Sequence, residues 1–250
     1  MLHSIRVRRS QGWQFIPDVR AASPKGFRGL PHVAEAPCRE GCSACRDLCP
    51  TSAIALDPFR LDLGLCVFCG ECADVCPDKK LSFSNDFKMA STSRETLVRR
   101  DGDRALTPLL LASATFKKLF GPLAPAAPGL RRRLQRLRAR AERQRQRQLR
   151  HGPLGHRLVA SPRHAGRPRP LRTDHRQHGR GLRLAWDGMP APKLVIAAGS
   201  CAISGAPYQD AYAVDRSFLG EFTPQLYIPG CPPHPLTFVN GLLDLLGVGR

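Results

Sequence analysis

Eight of the ten cysteines of this chain lie between Cys38 and Cys76, and they are arranged as two copies of one spacing. The second copy, CVFCGECADVCP at residues 66–77, runs C-x2-C-x2-C-x3-C-P. An offset of 27 residues carries Cys42, Cys45, Cys49 and Pro50 onto Cys69, Cys72, Cys76 and Pro77. The same offset carries Ile54 and Leu56 onto Leu81 and Phe83, so each copy runs into a short apolar, strand-like pair. Two copies of one small unit are implied.

The spacing points to a particular chemistry. Three closely spaced thiolates on a tight loop can take three corners of an iron-sulfur cubane, while the fourth, displaced and followed by proline, is directed at a second cluster. Two copies therefore exchange their fourth ligands. On this reading Cys49, Cys66, Cys69 and Cys72 hold one [4Fe-4S] cluster, and Cys38, Cys42, Cys45 and Cys76 hold the other. Gly70 lets backbone amides approach the sulfurs. The first copy, CREGCSACRDLCP at residues 38–50, has three residues instead of two between its first two cysteines, so Cys38 reaches its cluster only if the loop bulges at Gly41.

Structural zinc is the competing reading for C-x2-C pairs, but it wants two pairs and gives no reason for two triplets each followed by Cys-Pro. Disulfides suit small secreted chains, whereas the start MLHSIRVRRSQGWQF has basic residues and no apolar h-region, so no signal peptide is expected. No apolar run, the one around Leu109 to Ala112 included, approaches a membrane span of roughly 20 residues. No C-x2-C-H, Walker A loop or strand-linked G-x-G-x-x-G is present.

Residues 1–33 read as an extended arm laid on something else, being basic and broken by Pro17, Pro24, Gly26, Gly29 and Pro31. Residues 34–97 form the two-cluster unit. Residues 98–183 read as a linker, with a short helix around residues 109–120, followed by a basic segment. Of the formal charge of +19, residues 122–183 supply 18 Arg against Glu142 and Asp174, without one aromatic residue. Such a stretch has no material for a core. From Leu184 to residue 250 order is expected to return: KLVIAAG at residues 193–199 and QLYIPG at residues 225–230 are buried-strand patterns. Each delivers a cysteine, Cys201 and Cys231, at its carboxyl end, where open α/β sheets place ligands. Leu236 to Leu246 reads as a packing helix.

The motifs APCREGCSAC, RLDLGLCVFCGECADVCP and SNDFKMA resemble the two-cluster ferredoxin-type subunits of membrane-bound [NiFe] hydrogenases, formate hydrogenlyase and complex I. PKLVIAAGSCAISGAPYQD and YIPGCPPHPLTFVNGLLDLLG resemble the B-type small subunit of complex I and its hydrogenase counterpart. The resemblance implies an α+β ferredoxin-like domain and part of an α/β flavodoxin-like parallel-sheet domain, and the composition of the basic middle leads to the expectation that it is disordered. It also implies an electron-transfer subunit on the cytoplasmic face of the inner membrane. Its partners would be the large subunit of a [NiFe] hydrogenase or complex I-like assembly and the membrane arm. A hydrogenase or formate hydrogenlyase context is favoured because both modules share one chain. Carried over from the B-type family, Cys201 and Cys231 are the last two ligands of a third [4Fe-4S] cluster.

The family's early cysteine pair should lie near residues 131–140, where this sequence has RRRLQRLRAR. Arg133 to Arg138 can be encoded so that the frame one nucleotide later reads Gly-Cys-Asn-Gly-Cys, which is the missing pair. Residues 122–126 and 168–181 give plausible family sequence in the same shifted frame. The expectation is that residues 122–154 and 167–181 are out-of-frame translation and that the third cluster is incomplete. Two other functions compete: phosphate binding to nucleic acid by the Arg-rich tract, which lacks interleaved aromatics for stacking, and a non-functional product whose first half alone folds.

Overall fold

In the computed structural model the described residues are 16–103 without 17, 23 and 25, the strand at 169–171, and 176–246 without 192. The helix expected around residues 109–120 and the Arg-rich tract at residues 131–150 lie outside them.

The first half is built from the duplicated unit. Its elements are β1 (Pro31–Val33), α1 (Ala44–Asp47), β2 (Ile54–Leu56), β3 (Phe59–Asp62), α2 (Glu71–Val75), β4 (Leu81–Phe83) and β5 (Val98–Arg100). The repeat seen in the cysteines is kept by the backbone: α1 and α2 begin 27 residues apart, as do β2 and β4. Left-handed residues recur at the same offset, Gly41 (φ 72°) with Phe68 (φ 57°) and Ser52 (φ 50°) with Lys79 (φ 49°). Amide donation recurs too, from Ser52 to the Cys49 carbonyl at 3.3 Å and from Lys79 to the Cys76 carbonyl at 3.2 Å. Phe68 accepts a conformation natural to glycine because its ring packs edge-on to Phe83 at 6.5 Å. Gly41 and Phe68 thus share one turn, and the extra residue of the first copy is taken up ahead of Gly41.

β1 pairs antiparallel with β4, and β2, β3 and β5 form a second antiparallel sheet. Along β3 the buried Phe59 and Leu61 alternate with Arg60 and Asp62, the pattern of a strand with one face on a core. The sheets take in residues 31–33, assigned above to the arm, and residues 98–100, assigned to the linker.

The second half is a parallel sheet of β6 (Arg169–Leu171), β7 (Val195–Ala198) and β8 (Leu226–Ile228) in that order. Its helices are α3 (Arg176–Asp187), α4 (Ser200–Ile203), α5 (Ser217–Glu221) and α6 (Pro235–Leu245). Ile196, Leu226 and Ile228 pack on Leu242, Leu245 and Leu246, so α6 and its end cover one face. On the other, Val195 packs with Phe218, and Leu182, Trp186, Leu219 and Phe222 join them. A sheet covered on both faces explains why Val195, Ile196 and Ala197 are all buried.

One expectation is corrected by this arrangement. The described elements of the second half begin ahead of Leu184, with β6 and then α3, where Leu182 and Trp186 stand four residues apart on one helix stripe. Arg169–Leu171 pairs with the side of β7 away from β8, and Pro170, which has no amide hydrogen to give, is tolerated there because β6 lies at the edge of the sheet among the described residues.

The halves share a core. Ala197, Ala202 and Ile203 belong to the same buried cluster as Leu61, Leu63 and Leu97. Ser91 and Tyr227 exchange both backbone hydrogen bonds, at 2.9 and 2.7 Å. The end of the arm lies across α6: Asn240 donates to the Val19 carbonyl at 2.8 Å, Arg20 pairs with Asp244 at 2.6 Å, and Phe27 meets the His234 ring at 4.5 Å.

Candidate metal centre

The crossing of the two copies places the cysteines. Each one-turn helix follows a cysteine loop, and the chain then runs through Cys49 or Cys76 into the strand of its copy. One hollow, of about 370 Å³ with solvent included, is lined by Cys38, Cys42, Cys45 and Cys76 together with Phe59, Lys80 and Leu81. A second, of about 330 Å³, is lined by Cys49, Cys66, Cys69 and Cys72 with Ile54, Leu61 and Phe83. Each hollow draws three thiols from one copy and the Cys-Pro cysteine from the other. Among the described residues no three His, Cys, Asp or Glu side chains converge on a single point as one bound ion would require.

Backbone amides point at the sulfurs. Ala53 donates to Cys49 Sγ, Phe68 to Cys66 Sγ and Lys80 to Cys76 Sγ, each at 3.3 Å. Ala53 and Lys80 again differ by the repeat offset. Such bonds stabilise sulfur carrying negative charge. Burial acts the other way, pushing the Cys66 thiol up to about 12 and the Cys72 thiol up to about 11. Cys45 and Cys38 are also raised, first by burial, with Lys80 pulling Cys38 back down. Buried thiolates of this kind need a cation to hold their protons off. Iron would do this, held by the two quartets.

Cys201 sits in the first turn of α4, just past β7, and Cys231 lies just past β8, followed by a cis peptide bond to Pro232. Burial first, and then the neighbouring Cys201 thiol, raises Cys231. Gly199 (φ 96°) and Gly230 (φ 136°) make the turns, and a Cβ on Gly230 would lie 2.5 Å from Pro233 Cα. Cys231 is exposed and Cys201 partly so.

The sequence reading missed the residues that tie this pair to the second hollow. Ser200, fully buried, donates from Oγ to the Cys66 carbonyl at 2.7 Å. Ser204 does the same to the Gly64 carbonyl at 2.7 Å. Arg216 reaches the carbonyls of Cys201 at 3.4 Å and Ile203 at 2.5 Å, and burial lowers its affinity for its proton. Arg94 pairs with Asp62 at 2.5 Å and packs on Gly64, where a Cβ would lie 2.7 Å from its guanidinium carbon. Only the placing of Ser200 beside Cys201 is visible in the sequence. No spacing rule links it to a carbonyl 134 positions away.

Comparison with known proteins divides along the same line. Residues 59–79 match the family described as 4Fe-4S binding domain, and residues 172–245 match the family described as NADH ubiquinone oxidoreductase, 20 Kd subunit. The B subunit of the F(420)H(2) dehydrogenase of Methanosarcina mazei is 47% identical over 64 residues, 26% of this chain and 35% of that protein. The B subunit of the NADH-quinone oxidoreductase of Clostridium beijerinckii is 47% identical over 64 residues, 26% of this chain and 38% of that protein. The chain thus spans little more than a third of these curated relatives. Similarity to a 4Fe-4S binding domain and similarity to a B-type oxidoreductase subunit lie on one polypeptide, the first taking in Cys66, Cys69, Cys72 and Cys76, the second Cys201 and Cys231.

Proposed function

We propose that the chain is an iron-sulfur electron-transfer subunit of a complex I-like oxidoreductase. Cys38, Cys42, Cys45 and Cys76 would hold one [4Fe-4S] cluster and Cys49, Cys66, Cys69 and Cys72 the other. When bound, such clusters accept and give up single electrons without a change of covalent partner. The residues of this chain supply insulation through Phe59, Leu61 and Phe83, and amide hydrogen bonds to the sulfurs.

The observation that carries the reading is the buried bond from Ser200 to the carbonyl of Cys66. It fixes the loop bearing Cys201 directly against a cysteine of the second quartet, so electrons in that quartet lie beside the site where the B-type subunit carries its own. The named relatives are subunits of a quinone oxidoreductase and an F(420)H(2) dehydrogenase. They favour a complex I-like context over the hydrogenase one. Partners would be the large subunit and membrane arm of that assembly, on its cytoplasmic face. Among the described residues no helix is long and apolar enough to cross a membrane.

The third site is proposed to be incomplete, since eight cysteines line the two hollows and only Cys201 and Cys231 remain. The family match reaches back to residue 172, so the out-of-frame proposal is kept for residues 122–154, where the missing pair would fall. Codons at Arg133 to Arg138 that cannot yield Cys-Asn-Gly-Cys one nucleotide later would sink it. For the function, iron and sulfide counting on anaerobically purified protein is the test. About eight of each per chain are expected, and a preparation holding zinc or no metal would refute the reading.

A further inference from the structure

We propose that Lys80 makes the two cluster sites electronically unequal, raising the potential of the site lined by Cys38, Cys42, Cys45 and Cys76 above that of its twin. The inference rests on the cluster assignment proposed above. In the duplicated backbone Lys80 and Ala53 occupy the same slot, each giving its amide to a Cys-Pro cysteine, Cys76 and Cys49 respectively, at 3.3 Å. Two sites built by one repeat would differ little if their surroundings matched. At this slot they do not: one copy has a methyl group and the other an ammonium.

Lys80 is buried, with 4% of its surface exposed, and lines the hollow beside the four thiols. Its Nζ is anchored by the carbonyls of Ala34 at 3.2 Å and Ala36 at 2.5 Å and by Asp101 at 3.0 Å, and it sits 5.1 Å from the Phe59 ring centroid. These contacts pin the segment leading to Cys38 and stabilise a charge that would otherwise be costly to bury. Asp101 is about half exposed, so solvent weakens its offset. Asp78 also lines this hollow but is paired with Arg39 at 2.8 Å. Around the second hollow the lining charge is Glu71, which is exposed. Arg28 donates to the carbonyls of Phe68 and Cys69 there, but it too is exposed and screened by water.

Reduction adds one electron, and so one negative charge, to a cluster, and no bond is made or broken in the protein. A fixed buried cation stabilises the reduced form, so a single electron entering the pair settles on the Cys38 side.

The experiment is a dithionite titration of the anaerobically purified full chain at controlled potentials, followed by electron paramagnetic resonance with iron counted in each sample. A Cys72→Ser background isolates the first site and a Cys45→Ser background the second. Lys80→Met should lower the reduced-to-oxidised ratio of the first site about tenfold at a fixed potential, equivalent to 59 mV for one electron, and leave the second site in place. Lys80→Arg should restore the ratio. Asp101→Asn, at the surface, should move the first site in the opposite direction and serves if Lys80→Met fails to fold. Intact clusters with no shift in either variant, or equal shifts at both sites, would overturn the role of Lys80 alone. Wild-type protein without iron and sulfide would remove the cluster assignment and this inference together.

Discussion

Cys72 and Ser200 sit near each other in function but are unequally visible in sequence. Cys72 belongs to a spacing that fixes its hollow, and Cys72→Ser is expected to lower the iron content from about eight to about four per chain, leaving the Cys38 site loaded. Iron analysis with a paramagnetic resonance spectrum checks this, and full retention of iron would contradict the assignment. Ser200 shows the other case. Its hydroxyl is fully buried on the Cys66 carbonyl, so Ser200→Ala should destabilise the chain by about 1–3 kcal/mol, the cost of stranding a buried polar group, as read by denaturant unfolding of the loaded protein. Nothing in the sequence marks it, because a lone serine carries no periodicity and its partner is distant. The quartets are legible for the converse reason: thiol spacing on short loops leaves few ways to arrange four ligands. The bulge that brings in Cys38 falls ahead of Gly41 and not at it, since Gly41 shares its left-handed backbone with Phe68 and is part of the repeat itself.

At the scale of elements, α6 shows packing overriding propensity. Gly241 lies in the middle of this helix, where alanine would ordinarily gain about 1 kcal/mol. A Cβ there would sit 2.4 Å from Ala90 Cβ, and Ala90 has no rotamer to move to. Gly241→Ala is therefore expected to destabilise by about 1–3 kcal/mol net, measured by chemical denaturation. An unchanged midpoint would mean that α6 can shift away from the segment before β5. The strands Val195–Ala198 and Leu226–Ile228 are legible as apolar runs ending in glycine and cysteine. β6 and α3 are not, because composition over residues 122–183 is dominated by arginine, while the helix needs only Leu182 and Trp186 on one stripe and an Arg183 to Glu221 pair at its rim. A backbone strand such as Arg169–Leu171 demands less still, since its pairing uses main-chain groups.

On the scale of the whole chain, two modules that look separable in sequence share one buried cluster. Leu61, Leu63 and Leu97 face Ala197, Ala202 and Ile203, so the first half is not closed on its own side. Removing iron with a chelator should consequently loosen the parallel sheet as well as the cysteine loops. Coordination supplies much of the folding free energy of such small units, and the shared core transmits its loss. Hydrogen exchange should show protection falling together at Leu61 to Leu63 and at Val195 to Ala198. Protection lost only before residue 103 would show two independent folding units. The same continuity bears on the number of clusters. Cys201 and Cys231 face each other at the sheet edge with the second quartet one hydrogen bond away, yet two thiols cannot close a cubane, and none of the ten cysteines is spare. The chain as written should then bind about eight irons, and a chain with residues 122–154 restored to the shifted frame about twelve. About twelve irons in the chain as written would mean that a residue other than cysteine completes the third site, and the out-of-frame reading of its middle would fall.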